Sequence, residues 1–180
     1  MRAPERDQVA HAPVPGVQTD GKATTLDAQQ IPGRLDRLSH GHDALFCYGT
    51  LQFDDVLKAL LGRIPAMVPA SAPGHRAAAL AGRTYPGLVS SIDGSAAGVL
   101  LVDLRREEWE ILDAFEDLRY ELRELALSTG GSGWAYVWQG SDVEDRDWDS
   151  EGFQARHLVQ YAARCARIGP RLAAGLPKGE

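Results

Sequence analysis

From Ala44 onward the chain alternates between two hydrophobic patterns, and each predicts an element. Ala44-Leu45-Phe46-Cys47-Tyr48 is an unbroken apolar run that stops at Gly49, as a buried strand entering a turn does. Phe53, Val56, Leu57, Leu60 and Leu61 then recur three and four residues apart behind Asp54 and Asp55. That spacing predicts an amphipathic helix with acids at its positive end. Across residues 66–92 short apolar pieces are interrupted by Pro69, Pro73, Gly74, Gly82, Pro86 and Gly87, so several short strands joined by turns are expected. Residues 96–102 predict another buried strand. A second helix follows, with Asp103 as its cap, Glu107 and Glu108 in its first turn, and Trp109, Ile111, Leu112 and Phe115 on its apolar face. Residues 120–127 and 134–138 alternate as two strands, and the glycine-rich stretch 128–133 makes them a hairpin. Residues 142–151 read as a solvated acidic loop. Phe153, Leu158, Val159, Ala162, Cys165, Ala166 and Ile168 mark a closing helix. Strands cluster, helices are interspersed irregularly and no repeat is visible, which predicts an α+β fold.

Before Ala44 the pattern fails. Pro4, Pro13, Pro15, Gly16, Gly21, Pro32 and Gly33 break every periodicity, and residues 1–42 read as a poorly ordered leader without a function. A short helical turn around Leu35 and Leu38 is the one element it offers. The expected organisation is this leader, a domain over 43–170 and a tail over 171–180.

Composition narrows the function. At 180 residues, a single core can stand without disulfide or metal staples. Nineteen Lys and Arg against 25 Asp and Glu leave a net charge of −6, which supplies no electrostatic reason to bind nucleic acid or an anionic membrane. No apolar stretch approaches the ~20 residues of a membrane span, and residues 1–7 lack the apolar centre of a secretory signal. Cys47 and Cys165 are too few for a disulfide framework or a four-cysteine zinc site. A reduced, cytoplasmic, single-domain protein is expected, without membrane or nucleic-acid partners and with its oligomeric state unread.

Most signatures of chemistry are absent. There is no G-x-G-x-x-G, G-x-x-x-x-G-K, H-E-x-x-H or G-x-S-x-G. Gly130, Gly131 and Gly133 fit a hairpin better than a phosphate loop. Asp145, Asp147 and Asp149 imitate the first half of a calcium loop, but Ser150 and Arg156 stand where glycine and the closing glutamate are needed. The five histidines have no ligand spacing, and no metal site is expected. Cys47 reads as a small buried hydrophobe unless a base and a lowered pKa make it a nucleophile.

Two segments stand out. In Phe46-Cys47-Tyr48-Gly49-Thr50-Leu51 a strand ends in Tyr-Gly just before a helix. Amides after such a turn offer a pocket for a carboxylate or an oxyanion, or they form an ordinary strand-to-helix turn. In the second segment Trp109, Leu112 and Glu116 stand at i, i+3 and i+7, which lays the Glu116 carboxyl along the buried stripe. Glu108 and Asp113 are freer to face water. A core-facing glutamate takes a raised pKa and suits general acid–base work, unless the helix end frays and the side chain escapes to solvent.

Together these segments resemble the gamma-glutamylcyclotransferase-like family, in particular its plant avirulence-induced-protein branch. The resemblance runs in order from Ala44 to near Ile168. It takes in F-x-Y-G-[ST]-L at residues 46–51, Tyr85-Pro86-Gly87-Leu88, the Gly98-Val99-Leu100 strand, L-D-x-x-E at residues 112–116 with Tyr120, and Ala135-Tyr136-Val137-Trp138. Trp148, Phe153 and a final helix resemble the plant branch. Two departures stand near the key glutamate: Asp117 follows it where the family usually has glycine, and the basic residue after Tyr120 falls at Arg123.

The resemblance implies a small mixed, barrel-like β-sheet with flanking helices. It also implies cyclisation of a small γ-glutamyl amine or amino acid to 5-oxoproline with release of the amine. Glu116 would be the catalytic acid–base group. Tyr48, Gly49, Thr50 and Leu51 would hold the substrate, with Gln52 and Phe53 shaping the pocket, and no cofactor is required. Tyr120 and Tyr136 are wall residues or core residues on this reading. Two alternatives stay open: a non-catalytic binding or regulatory module on the same fold, and a thiol enzyme using Cys47. The acidic net charge leans weakly toward γ-glutamylamines.

Overall fold

The computed structural model describes residues 33–38 and 43–175. Residues 1–32 and 39–42 of the expected leader, and 176–180 of the expected tail, lie outside the described residues.

The apolar run at Ala44 forms strand β1 (Leu45–Cys47), buried on both faces. Leu45 and Cys47 join the core beneath the helices, whereas Phe46 and Tyr48 pack in a second cluster with Leu88, Leu100 and Val137. A 3-10 turn (Thr50–Gln52) leads into helix α1 (Asp54–Leu61), which buries Val56, Leu57 and Leu60 as their spacing predicts.

The stretch expected to hold several short strands is instead one long hairpin, β2 (Met67–Leu80) and β3 (Gly87–Leu101). Pro69 and Pro73 are tolerated because β2 pairs with β3 alone along that half, so a missing N–H costs no second ladder. The register slips between Pro73↔Ser95 and His75↔Ser90, which loops out residues 91–94 and bends both strands.

Helix α2 (Arg106–Phe115) buries Trp109, Ile111 and Leu112. Asp103 does not cap it; Arg105 stands at the cap position, and Asp103 accepts from the Ala66 amide (2.8 Å) and Arg63 (3.0 Å). Glu108, expected to face water, is 3 % exposed. Its carboxylate is chelated by Arg63 (2.6 and 2.7 Å) and also accepts from Arg105. A buried carboxylate is sustained by cations from elsewhere in the chain, which periodicity cannot report.

Strands β4 (Tyr120–Ala126) and β5 (Ser132–Trp138) form the expected hairpin. The expected acidic loop contains an edge strand, β6 (Val143–Asp147), paired with the outer edge of β2. Arg76 of β2 reaches across to the Glu144 and Arg146 carbonyls and to Asp147. Charged side chains suit a strand that ends a sheet. The closing helix comes in two pieces, α3 (Ser150–Arg156), capped by Asp149, and α4 (Leu158–Gly175), which passes through Pro170 and packs Leu172 on the core.

The six strands lie in the order β4-β5-β1-β3-β2-β6, and β1 is parallel to β5. The bend in β3 brings its first residues back to β5 (Leu88↔Val137) while its last ones pair with β1 (Cys47↔Val99), so the sheet curls into a half-barrel. Gly98 permits this closure, because a Cβ there would lie 2.2 Å from the Cys47 carbonyl oxygen. Gly98→Ala is expected to lower stability by about 2–3 kcal/mol, measured by urea unfolding, since β1 is fixed on both sides. No helix among the described residues is long and apolar enough to cross a membrane.

Candidate active site

Strand β1 ends at Cys47 and the chain turns away at Tyr48 and Gly49, at the end of the sheet where α2 delivers Glu116. A cavity of about 230 Å³ opens there. The 46–51 segment forms one wall, Glu116 and Asp117 another, and Tyr85, Tyr120, Tyr136 and Tyr161 line the remainder. Gly49 lets its turn press against Pro86, where an added Cβ would lie 2.9 Å from the ring.

Glu116 is the residue that ends α2. Its amide still donates to the Leu112 carbonyl (3.1 Å), but its backbone is extended, so the side chain leaves the helix for the cavity. No donor among the described residues hydrogen-bonds its carboxyl. Burial pushes it up to about 8, helped by Asp113 and Asp117 and opposed by Arg34. Asp117 itself is paired with Arg119 (3.1 Å) and Arg83 (3.7 Å), which hold its carboxyl below the usual range. Asp117, which stands where the resemblance leads one to expect glycine, is therefore an ionised carboxylate paired with two arginines.

The polar wall divides into donors and acceptors. The amides of Gly49, Thr50 and Leu51 open a turn that supplies them no carbonyl, and none among the described residues accepts from them. Three of the tyrosines have already committed their protons, whereas Tyr161 accepts from the Thr50 hydroxyl (3.4 Å). Tyr48 donates to the Tyr136 carbonyl (2.6 Å), Tyr120 to the Pro86 carbonyl (2.5 Å) and Tyr136 to Asp113 (2.9 Å). A hydroxyl whose proton is engaged offers a ligand only its lone pairs. Donors on one side and acceptors on the other suit a molecule carrying both a carboxylate or carbonyl and an ammonium.

Of the six residues assigned to substrate, Tyr48, Gly49, Thr50 and Leu51 line the cavity. Gln52 and Phe53 do not: Gln52 donates to the Tyr48 carbonyl (3.3 Å), and Phe53 packs on Trp148 and Phe153. They brace the turn from behind. Cys47 lines the cavity as well, but burial and the neighbouring Glu116 push its thiol well above the ordinary range, which disfavours a thiolate nucleophile. Among the described residues no group of three His, Cys, Asp or Glu is placed to hold a metal ion.

Sequence reasoning missed four contributors. Tyr161 and Cys165 of α4 stand three and seven residues after Leu158, a spacing that puts them on one face of the helix but does not show what that face meets. Asp113, expected to face water, instead accepts from Tyr136 and pairs with Arg34 (2.9 Å). Arg34 comes from the 3-10 turn Arg34–Arg37, and nothing in its local sequence signals the contact.

The curled α+β sheet thus carries at one end a cavity lined by both Glu116 and the 49–51 turn. The family model described as "Gamma-glutamyl cyclotransferase, AIG2-like" matches residues 45–153, and the chain belongs to that family. AIG2-like protein D of Arabidopsis thaliana is 31 % identical over 145 residues, covering 76 % of this chain and 94 % of the relative. AIG2-like protein A of the same plant is 40 % identical over 137 residues, covering 69 % and 79 %. A solution structure of another Arabidopsis thaliana protein superposes with a TM-score of 0.54 at 27 % identity, covering 78 % of this chain and 98 % of that one.

Proposed function

We propose that the protein cyclises the γ-glutamyl group of a small γ-glutamyl amine or amino acid to 5-oxoproline and releases the amine. The observation that carries this reading is the Glu116 carboxyl, raised to about 8 in a cavity that the 49–51 turn also lines, its three amides without an acceptor among the described residues.

A raised carboxyl pKa matches the ordinary range of an α-ammonium, about 8, so a proton passes between the two at little cost. Glu116 as carboxylate takes a proton from the substrate α-ammonium. The freed nitrogen attacks the γ-carbonyl carbon of the same molecule, forming the ring C–N bond. The developing oxyanion is met by the amides of the 49–51 turn. Collapse breaks the original amide bond as Glu116 returns the proton to the leaving nitrogen; the second proton, which the ring nitrogen sheds on becoming an amide, then passes to Glu116 and on to the released amine, which departs as an ammonium. One molecule becomes two with no water, metal or redox partner consumed. Because the reaction is intramolecular, the protein has only to fold the substrate and carry that proton. The tyrosine oxygens supply acceptors for the ammonium before it gives up its proton.

Arg164 of α4 bears on the leaving group. It lines the cavity without a side-chain hydrogen bond or ion pair to any described residue. A carboxylate on the released amine suits this cation, which favours γ-glutamyl-amino acids despite the acidic net charge of the chain. Arg164→Gln is expected to raise KM about tenfold for γ-glutamyl-amino acids and to leave γ-glutamylamines nearly unchanged. The reading is tested by incubating the protein with a panel of both classes and following 5-oxoproline by mass spectrometry. Ligand binding without product from any member would replace it with the non-catalytic module.

A further inference from the structure

We propose that Arg34, contributed by the segment ahead of the domain, is a positioning residue for Glu116, tying down the chain on both sides of it and placing a permanent positive charge beside it. The inference rests on Glu116 being the acid–base group.

Helix α2 ends at Phe115, so the carbonyls of its last turn have no partner within the helix, and that turn holds no basic residue. The Arg34 guanidinium fills the role. It donates to the Asp113 carbonyl (2.7 Å), the Asp117 carbonyl (3.1 Å) and the Tyr120 carbonyl (3.2 Å), and its Nε pairs with the Asp113 carboxylate at 2.9 Å. One planar fork therefore joins the last helical turn, the residue after Glu116 and the first residue of β4. Glu116 is the hinge between those anchors. A lysine, with one compact ammonium, cannot span three carbonyls in this way.

The same placement governs charge. Glu116 sits at the negative end of the α2 dipole, beside Asp113 and Asp117, where a carboxylate is disfavoured. The other titratable groups around it are Cys47, Tyr48, Tyr85, Tyr120, Tyr136, Tyr161 and Cys165, and Arg164 on α4. Arg83 and Arg119 are committed to Asp117. Arg34, though also paired with Asp113, is thus the cation that favours the ionised form of Glu116. It does not line the cavity and touches no substrate.

The test is a carbon-13 titration of the Glu116 carboxyl in the full chain, its signal identified by loss in Glu116→Gln. The wild-type midpoint is expected near 8. Arg34→Gln should move it upward by about one unit, and amide exchange over residues 116–120 should quicken about tenfold. Arg34→Lys should keep most of the midpoint but show the same faster exchange, and it serves alone if the Gln variant does not fold. An unmoved midpoint in Arg34→Gln, or unchanged exchange in Arg34→Lys, overturns the proposal; lower melting with an unchanged titration would reduce Arg34 to a structural contact. Neither readout needs turnover, so a protein without cyclotransferase activity would sink the proposed reaction and still decide the role of Arg34.

Discussion

Glu116→Gln is expected to lower 5-oxoproline release by about a hundredfold to ten-thousandfold and, at alkaline pH, to make the protein more stable. Both effects come from one property. Folding raises this carboxyl from 4.5 to about 8, so the fold prefers its protonated form. The stabilisation is complete below pH 4.5 and is lost as pH rises through about 8, where the native state must hold a charge its surroundings resist. Glutamine keeps the neutral shape and never ionises. Urea unfolding should therefore show no difference near pH 4 and a gain on the order of 2 kcal/mol at pH 9, a figure reduced because Glu116 is only half-buried. For the wild type, kcat/KM should climb with pH until about 8 as the base form appears. Wild-type turnover in the variant would remove Glu116 from the mechanism. A stability difference that ignores pH would mean that its charge is not what the fold resists.

The second large effect lies at the other end of the same helix. Arg63→Met should destabilise the protein by about 3 kcal/mol, because it strands the Glu108 carboxylate, 3 % exposed, with Arg105 as its remaining cation. Burial opposes that carboxyl's charge, yet Arg63, Arg105 and the Arg105 amide overcome it and hold the group down to about 2. Its stabilising contribution is present above pH 4.5 and is lost as pH falls toward 2. The variant should thus lose much of its acid-sensitive stability, read from urea midpoints at pH 3 and pH 7. Arg63→Met combined with Glu108→Met should recover more than half of the loss, since a matched apolar pair leaves no charge behind. Failure of the double variant to recover would mean that Arg63 acts through Asp103, its other partner, at 3.0 Å. Turnover of either folded variant should be near normal, because helix residues 109–115 lie between Glu108 and Glu116.

These two glutamates mark how far local pattern reaches. Both lie on α2, and helical spacing placed Glu116 on the buried stripe while leaving Glu108 to water. The first reading reaches only to the helix end: α2 closes at Phe115, and the extended backbone of Glu116 carries its side chain to the cavity. The second was overturned by Arg63, 45 residues away, whose charge makes burial tolerable. Edge strand β6 tells the same story, since an acidic run becomes a strand only because the outer edge of β2 is open to it.

The sequence by itself determined the α+β class, the helices α1 and α2, the β4–β5 hairpin and the Tyr48–Leu51 turn. Each of these follows from residues within one or two turns of each other, where period and turn chemistry are decisive. Only the tertiary structure decided that β2 and β3 are two long bent strands and that the sheet curls shut over Gly98. Tertiary contacts also bring Tyr161 and Arg164 of α4 to the cavity, and Arg34 to the end of α2. Those outcomes depend on partners tens of residues apart, whose meeting is set by packing and charge compensation and leaves no period in the chain.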